Sequence, residues 1–200
     1  MKNEMIFRTK KIVVAAVMAV MTASIFTGCG KTEEVSSINP PVISAMEKYG
    51  EIISGLSADQ YYAFASGEEN DLLLVTDGVY DNLDGNMATI DAKVYSIDAN
   101  GNVIEVGEVS SDGTAYPIAV YDDKYIMTGG NHRMEMSFVK DGSIVTQKMA
   151  HVTYDTSGNA TYDYYDLDEN FEGVVEDDSK LMAMYEDYGK AVVVNFNQAQ

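Results

Sequence analysis

Cysteine, tryptophan, proline and arginine are the scarce residues of this 200-residue chain: one Cys, no Trp, three Pro, and only Arg8 and Arg133. A single cysteine rules out an intramolecular disulfide and a multi-thiolate cage for zinc or iron–sulfur clusters, so the fold must rest on an ordinary packed core. Basic residues are few as a class, 13 Lys and Arg against 32 Asp and Glu, for a formal net charge of −19. Nucleic-acid binders gain most of their affinity from Lys and Arg neutralising phosphates, and this balance excludes them. The familiar catalytic signatures are missing too. There is no GxSxG elbow, no P-loop and no GxGxxG after a strand, and His132 and His151 belong to no HExxH or HxH spacing.

The charge is unevenly spread. Lys2, Arg8, Lys10 and Lys11 against Glu4 give residues 1–28 a local charge of +3, which leaves −22 for everything from Cys29 onward. The basic stretch precedes an apolar run from Ile12 to Phe26, interrupted only by Thr22 and Ser24. That is the length of a signal-peptide core and short of the roughly 20 residues that span a bilayer. The run ends in Phe26-Thr27-Gly28-Cys29, which resembles the lipobox of bacterial lipoproteins, with Gly28 at the small position and Phe26 where Leu is usual. The resemblance implies that residues 1–28 are a signal peptide that is removed, and that Cys29 carries diacylglycerol and palmitate-like acyl chains. Two chains suffice for stable anchoring. The mature protein is then expected on the extracytoplasmic side of the cell membrane, lipid-anchored.

Residues 29–41 are polar and without periodicity, and they read as a tether of at most about 40 Å. Val42, Met46, Tyr49, Ile53 and Leu56 then recur at intervals of three and four and predict a helix. From Gln60 to Tyr165 the signals are those of strands and hairpins. Tyr61 to Ala65 and Leu72 to Thr76 are short apolar runs, and turn pairs follow at Asn100-Gly101, Asp112-Gly113, Asp122-Asp123, Gly129-Gly130, Asp141-Gly142 and Gly158-Asn159. Their spacing suggests consecutive antiparallel strands, and Asn-Gly predicts a type I′ hairpin. Met134, Met136 and Phe138 alternate with polar residues, as a strand with one buried face should. Leu181, Met184, Tyr185 and Tyr188 share one face of a second helix, acidic residues precede it, Gly189 stops it, and Ala191 to Phe196 reads as one last buried strand. The expected fold is mainly β: a single domain over residues 42–200, a hairpin-rich antiparallel β-meander with one helix before it and one near the C-terminus.

Three kinds of site are conceivable on these residues. His132 beside Arg133, in Gly-Gly-Asn-His-Arg, could present two donors to an anion, although a hairpin tip of this composition needs no function. Asp166, Asp168 and Asn170 supply oxygens at alternate positions with Asp177 at the twelfth, a partial calcium loop in which Phe171 stands where an EF-hand needs glycine. The fragments Asn82-Leu-Asp84-Gly85 and Ser96-Ile-Asp98-Ala-Asn100-Gly101 are partial in the same way. Carboxylate pairs could hydrolyse a glycoside, but in so acidic a chain their abundance removes their diagnostic value.

The stretch Tyr61 to Val75, followed by Val94-Tyr-Ser-Ile-Asp and the hairpins, resembles the aromatic strand, acidic loop and Leu-rich strand of Gram-positive surface lipoproteins whose loop reads D-x-N-x-D-G. Ala65, Gly67 and Glu69 replace the ligands of that repeat, and the resemblance implies no particular activity. The expectation from sequence is a non-catalytic binding domain for a protein, peptide or glycan, presented through tyrosines such as Tyr162, Tyr164 and Tyr165. A calcium-dependent surface module and a cell-envelope hydrolase working through carboxylates are the alternatives.

Overall fold

The computed structural model describes residues 40–83 and 85–200, with side chains from Ala45 onward; the expected signal peptide, the lipobox-like stretch with Cys29 and the part of the expected tether before Pro40 lie outside the described residues. Pro40 and Pro41, read from sequence as tether, instead open helix α1 (Pro40–Ser54). Proline suits a first helical turn because its missing N–H would be unpaired there anyway. The stripe of α1 that is buried includes Ala45 and Tyr49, whereas Met46 is 43% exposed. Tyr49 is fully buried, and its hydroxyl donates to the Asp71 carbonyl at 2.6 Å.

The chain then builds two antiparallel sheets. The first has five strands in the order β14-β1-β2-β5-β6, from β1 (Tyr61–Ala65), β2 (Leu72–Thr76), β5 (Asp91–Ile97), β6 (Val103–Ser110) and β14 (Asn197–Gln198). A small ribbon, β3 (Tyr80–Asp81) with β4 (Met87–Ala88), interrupts it between β2 and β5. The second has seven strands in the order β12-β11-β10-β9-β8-β7-β13. They are β7 (Ala119–Tyr121), β8 (Tyr125–Gly130), β9 (Arg133–Lys140), β10 (Ser143–Tyr154), β11 (Ala160–Asp166), β12 (Phe171–Val175) and β13 (Val192–Val193). Six of its seven strands are sequential neighbours, so the expected meander is present. Helix α2 (Ser179–Tyr188) follows β12.

Side-chain alternation along the strands explains the layering. In β2 all five residues are buried because Leu72 and Leu74 face the seven-stranded sheet while Leu73 and Val75 face α1. In β8 and β9, Ile126 and Val139 point to the five-stranded sheet, and Met127, Met134 and Met136 point the other way, onto Leu181 and Met184 of α2. The order is therefore α1, sheet, sheet, α2, with one core in each of the three gaps. The C-terminal segment ties the sheets together. Val194 and Phe196 are buried between them, while β13 pairs with β7 and β14 pairs with β1. Of the single buried strand expected over Ala191 to Phe196 only Val192–Val193 is a strand; β14 begins at Asn197 on the other sheet, and Val192 is 73% exposed.

Two turns differ from expectation for reasons of backbone geometry. Gly129-Gly130 is inside β8 and the turn is Asn131-His132. The glycines are there for close approach: a Cβ on Gly129 would collide with the Met134 Sδ, and one on Gly130 would lie 2.6 Å from the Asp112 Cβ. At Asn100-Gly101 only the glycine has positive φ, +83°. The Asp98 amide donates to the Asn102 carbonyl, and the Gly101 amide to the Asp98 carbonyl. That is a type I turn with a glycine bulge, not type I′. The Asp155-Thr-Ser-Gly-Asn159 turn repeats those two backbone bonds. Type I′ geometry belongs to Asp141-Gly142, with φ of 50° and 72° between the paired Lys140 and Ser143.

Candidate binding groove

β7 to β12 form a wider sheet than the one stacked on it. Over Ile126, Val139 and Ile144 the face toward the five-stranded sheet is covered. Further along, β10, β11 and β12 carry that same face out beyond the cover, and its residues line a groove of about 700 Å³. Register fixes which side chains share it, because directly opposed residues of paired strands project to one side. One row crosses the strands as Arg133, His151, Asp163 and Val174. The next runs Glu135, Met149, Tyr165 and Glu172. Met149 and Tyr165 supply an apolar floor, and Glu135, Asp163 and Glu172 surround it with carboxylates. A mixed lining of this kind, mostly apolar with a few convergent polar groups, is what small ligand sites use.

Glu135 is held in place at the groove wall. Its carboxylate takes the Arg133 guanidinium on Oε2, and on Oε1 the hydroxyls of Ser137 at 3.0 Å and Thr146 at 2.9 Å. The arginine is therefore spent on its neighbour. His132 lies on the exposed turn, edge-on to the Tyr154 ring with centroids 5.4 Å apart. The conceivable donor pair of His132 with Arg133 is not brought together for an anion, because Arg133 is engaged by Glu135 while His132 stands on the turn against Tyr154. His151, which belongs to no metal-binding spacing in the sequence, lines the groove.

Of the three tyrosines singled out in the sequence, Tyr164 and Tyr165 line the groove, but Tyr164 is also buried in the core cluster under α2. Tyr162 packs against that cluster. Tyr164 donates its hydroxyl to Asp166 Oδ2 at 2.8 Å. Burial, that hydrogen bond and the neighbouring carboxylate charge push its ionisation well above the ordinary tyrosine range.

The proposed calcium ligands occupy the β11–β12 hairpin. Asp166 is 1% exposed at the end of β11. Its Oδ2 accepts from Tyr164 and lies 3.2 Å from Lys148 Nζ, and its Oδ1 accepts the amides of Asp168 at 3.0 Å and Glu169 at 3.3 Å. Burial by itself would raise the Asp166 carboxyl; the Tyr164 hydroxyl, the Glu169 amide and Lys148 together hold it below the ordinary range. A divalent cation at this carboxylate would have to displace an ammonium group. Asp168 and Asn170 are exposed on the turn, Asn170 with φ of 50°. Asp177 accepts the Ser179 amide at 3.0 Å at the start of α2. Asp98 is likewise occupied, by the amides and side-chain nitrogens of Asn100 and Asn102. Among the described residues no group of three or more His, Cys, Asp or Glu is placed to hold a metal ion.

Sequence could have found the groove through one signal. In β10 and β11 the residues Met149, His151, Asp163 and Tyr165 alternate with the buried Ala150, Val152 and Tyr164. Which strands lie beyond the cover is not encoded in any of them. No protein-family model, curated protein or solved structure matches this chain.

Proposed function

We propose that this protein is a lipid-anchored module on the extracytoplasmic face of a bacterial membrane, which binds a protein, peptide or glycan without catalysis. The groove is the observation that supports a binding role. It offers an apolar floor of Met149 and Tyr165 ringed by three carboxylates, on a rigid sheet, in a chain with no nucleophile or phosphate motif. That lining favours neutral or cationic ligands, since an anion would meet Asp163 and Glu172, while Glu135 is already paired with Arg133. The anchoring half of the proposal rests on the basic n-region, the apolar run and the placement of Cys29.

Two experiments test the two halves. Cys29→Ala is expected to lose lipid labelling and to release the protein from membranes; continued labelling defeats the anchor. For the groove, a photo-crosslinking side chain at Tyr165 on intact cells is expected to capture a ligand that the same probe at Met182, 45% exposed on α2, does not. Equal capture from both positions defeats the groove.

A further inference from the structure

The groove has one open side. β12 is the outermost strand of its sheet, paired with β11 and, among the described residues, with nothing beyond it. Alternate residues of such a strand turn their N–H and C=O groups away from the sheet, a template for another strand unless it is blunted. Proteins blunt edges with proline, lysine, a bulge or a covering segment. β12 reads Phe-Glu-Gly-Val-Val and keeps unbroken register with β11 over five pairs, from Phe171 to Val175. It has no proline, lysine or bulge, and its one charged residue, Glu172, is on the groove side.

Two further observations set β12 apart. Val174 is 65% exposed and Phe171 37% exposed. Gly173 sits mid-strand although the fold leaves room for a side chain, since a Cβ there would meet only the Phe171 Cζ at 3.7 Å, an ordinary contact. Mid-strand glycine weakens a sheet and is found where another backbone approaches.

We propose that β12 is a docking edge on which an extended peptide carrying basic residues adds as a further antiparallel strand. This rests on the groove as the binding site and names its ligand class. Strand addition takes affinity from main-chain hydrogen bonds and specificity from alternate side chains. The alternate side chains on the groove side of an added strand lie beside Glu172 and Val174, with Asp163 and Tyr165 one strand further in. Charge complementarity selects lysine or arginine at those positions. It also disfavours a second copy of this chain, which would bring two acidic molecules edge to edge. A glycan could use the floor and bond singly to the strand's open amides, but it lacks the repeating N–H and C=O groups that continue the ladder.

The test uses the full chain and a short peptide alternating lysine with threonine, followed by calorimetry and amide exchange. The lysine peptide is expected to bind and to slow exchange at amides of Glu172 to Val175. Methylating its alternate amides, which leaves its charge intact, is expected to weaken binding by about tenfold or more, the equivalent of one to two backbone hydrogen bonds. Glu172→Lys and Asp163→Asn, each with an unchanged melting midpoint, are expected to weaken it as well. If the methylated peptide binds equally, edge pairing is wrong and the groove reading survives. If a chito-oligosaccharide binds at Tyr165 and the peptide does not, the ligand class is wrong and the groove again survives. A dimer formed through β12 in sedimentation overturns the proposal. Binding of neither probe, with no crosslink from Tyr165, overturns both readings.

Discussion

One face of the seven-stranded sheet has two halves that share strands but not cover, and a β-bulge in β10 between Thr146 and Lys148 separates them. Under the five-stranded sheet it presents Ile126, Val139 and Ile144 to an apolar core. Past that cover the same face presents Met149, His151, Asp163, Tyr165 and Glu172 to solvent. β9 and β10 run through both halves, Val139 and Ile144 at one end and Glu135 and Met149 at the other. The difference shows that an apolar or polar side chain on this face follows from what lies over it, and that a single strand can serve stability at one end and recognition at the other.

The largest effects should separate the two halves. Ile126→Ala, in the covered half, is expected to cost about 2–5 kcal/mol through lost burial and a cavity. Met149→Ala, in the open half, should cost about 1 kcal/mol or less because the site is already hydrated. The urea midpoint at unchanged m-value measures both. Equal losses would mean that the groove is part of the core.

The opposite face of β11 supplies the next contrast. Asp166→Asn removes a buried carboxylate that serves Tyr164, Lys148 and two amides, and should cost roughly 2–3 kcal/mol. Because the folded state lowers this carboxyl from its ordinary value of 3.8, its contribution is present above that pH and is lost as pH falls through the folded value. Wild-type stability should therefore drop below about pH 4, and Asp166→Asn should flatten that limb.

Tyrosines of the covered regions give the alkaline counterpart. Burial raises Tyr49 and Tyr185 from 10.0 to about 12, Tyr49 with help from the Asp71 charge and Tyr185 with help from Tyr116 and Asp112. Their protonated forms favour the folded state fully below pH 10, and that advantage is lost as pH rises toward 12. Chemical denaturation at steps across this window should show a steady fall, which Tyr49→Phe reduces.

Turn and loop changes should be the smallest. Gly101→Ala, at φ +83°, should cost about 1 kcal/mol in a melt, since an alanine there is strained. Millimolar calcium should leave the melting midpoint unmoved, because Asp166 and Asp98 already have their oxygens engaged. An upward shift would instead establish a cation site, as a ligand of the native state must stabilise it.

Much of the fold was legible. β1 and β2 match the expected apolar runs, and Leu181, Met184, Tyr185 and Tyr188 share one face of α2 as expected. Turn residues announced most hairpins, because Gly, Asn and Asp bear a local backbone requirement that sequence carries directly. Gly129-Gly130 misled for the opposite reason: those glycines answer to Met134 and Asp112, which are remote contacts that no turn rule contains. Ala191 to Phe196 misled because alternate burial between two sheets looks the same in sequence as burial in one strand. Of the site, Tyr164 and Tyr165 were among the residues singled out, but so was Tyr162, which packs against the core under α2.

The amino-acid sequence by itself determined the acidic balance, the single cysteine, the mainly β character and the order of hairpins. Those follow from composition and from interactions between residues close in the chain. Tertiary structure alone decided that the strands divide into two stacked sheets of unequal width, and that β12 ends the wider one uncovered. Stacking is a long-range packing outcome, set by which apolar faces can bury one another, and the groove is the area that this packing leaves over.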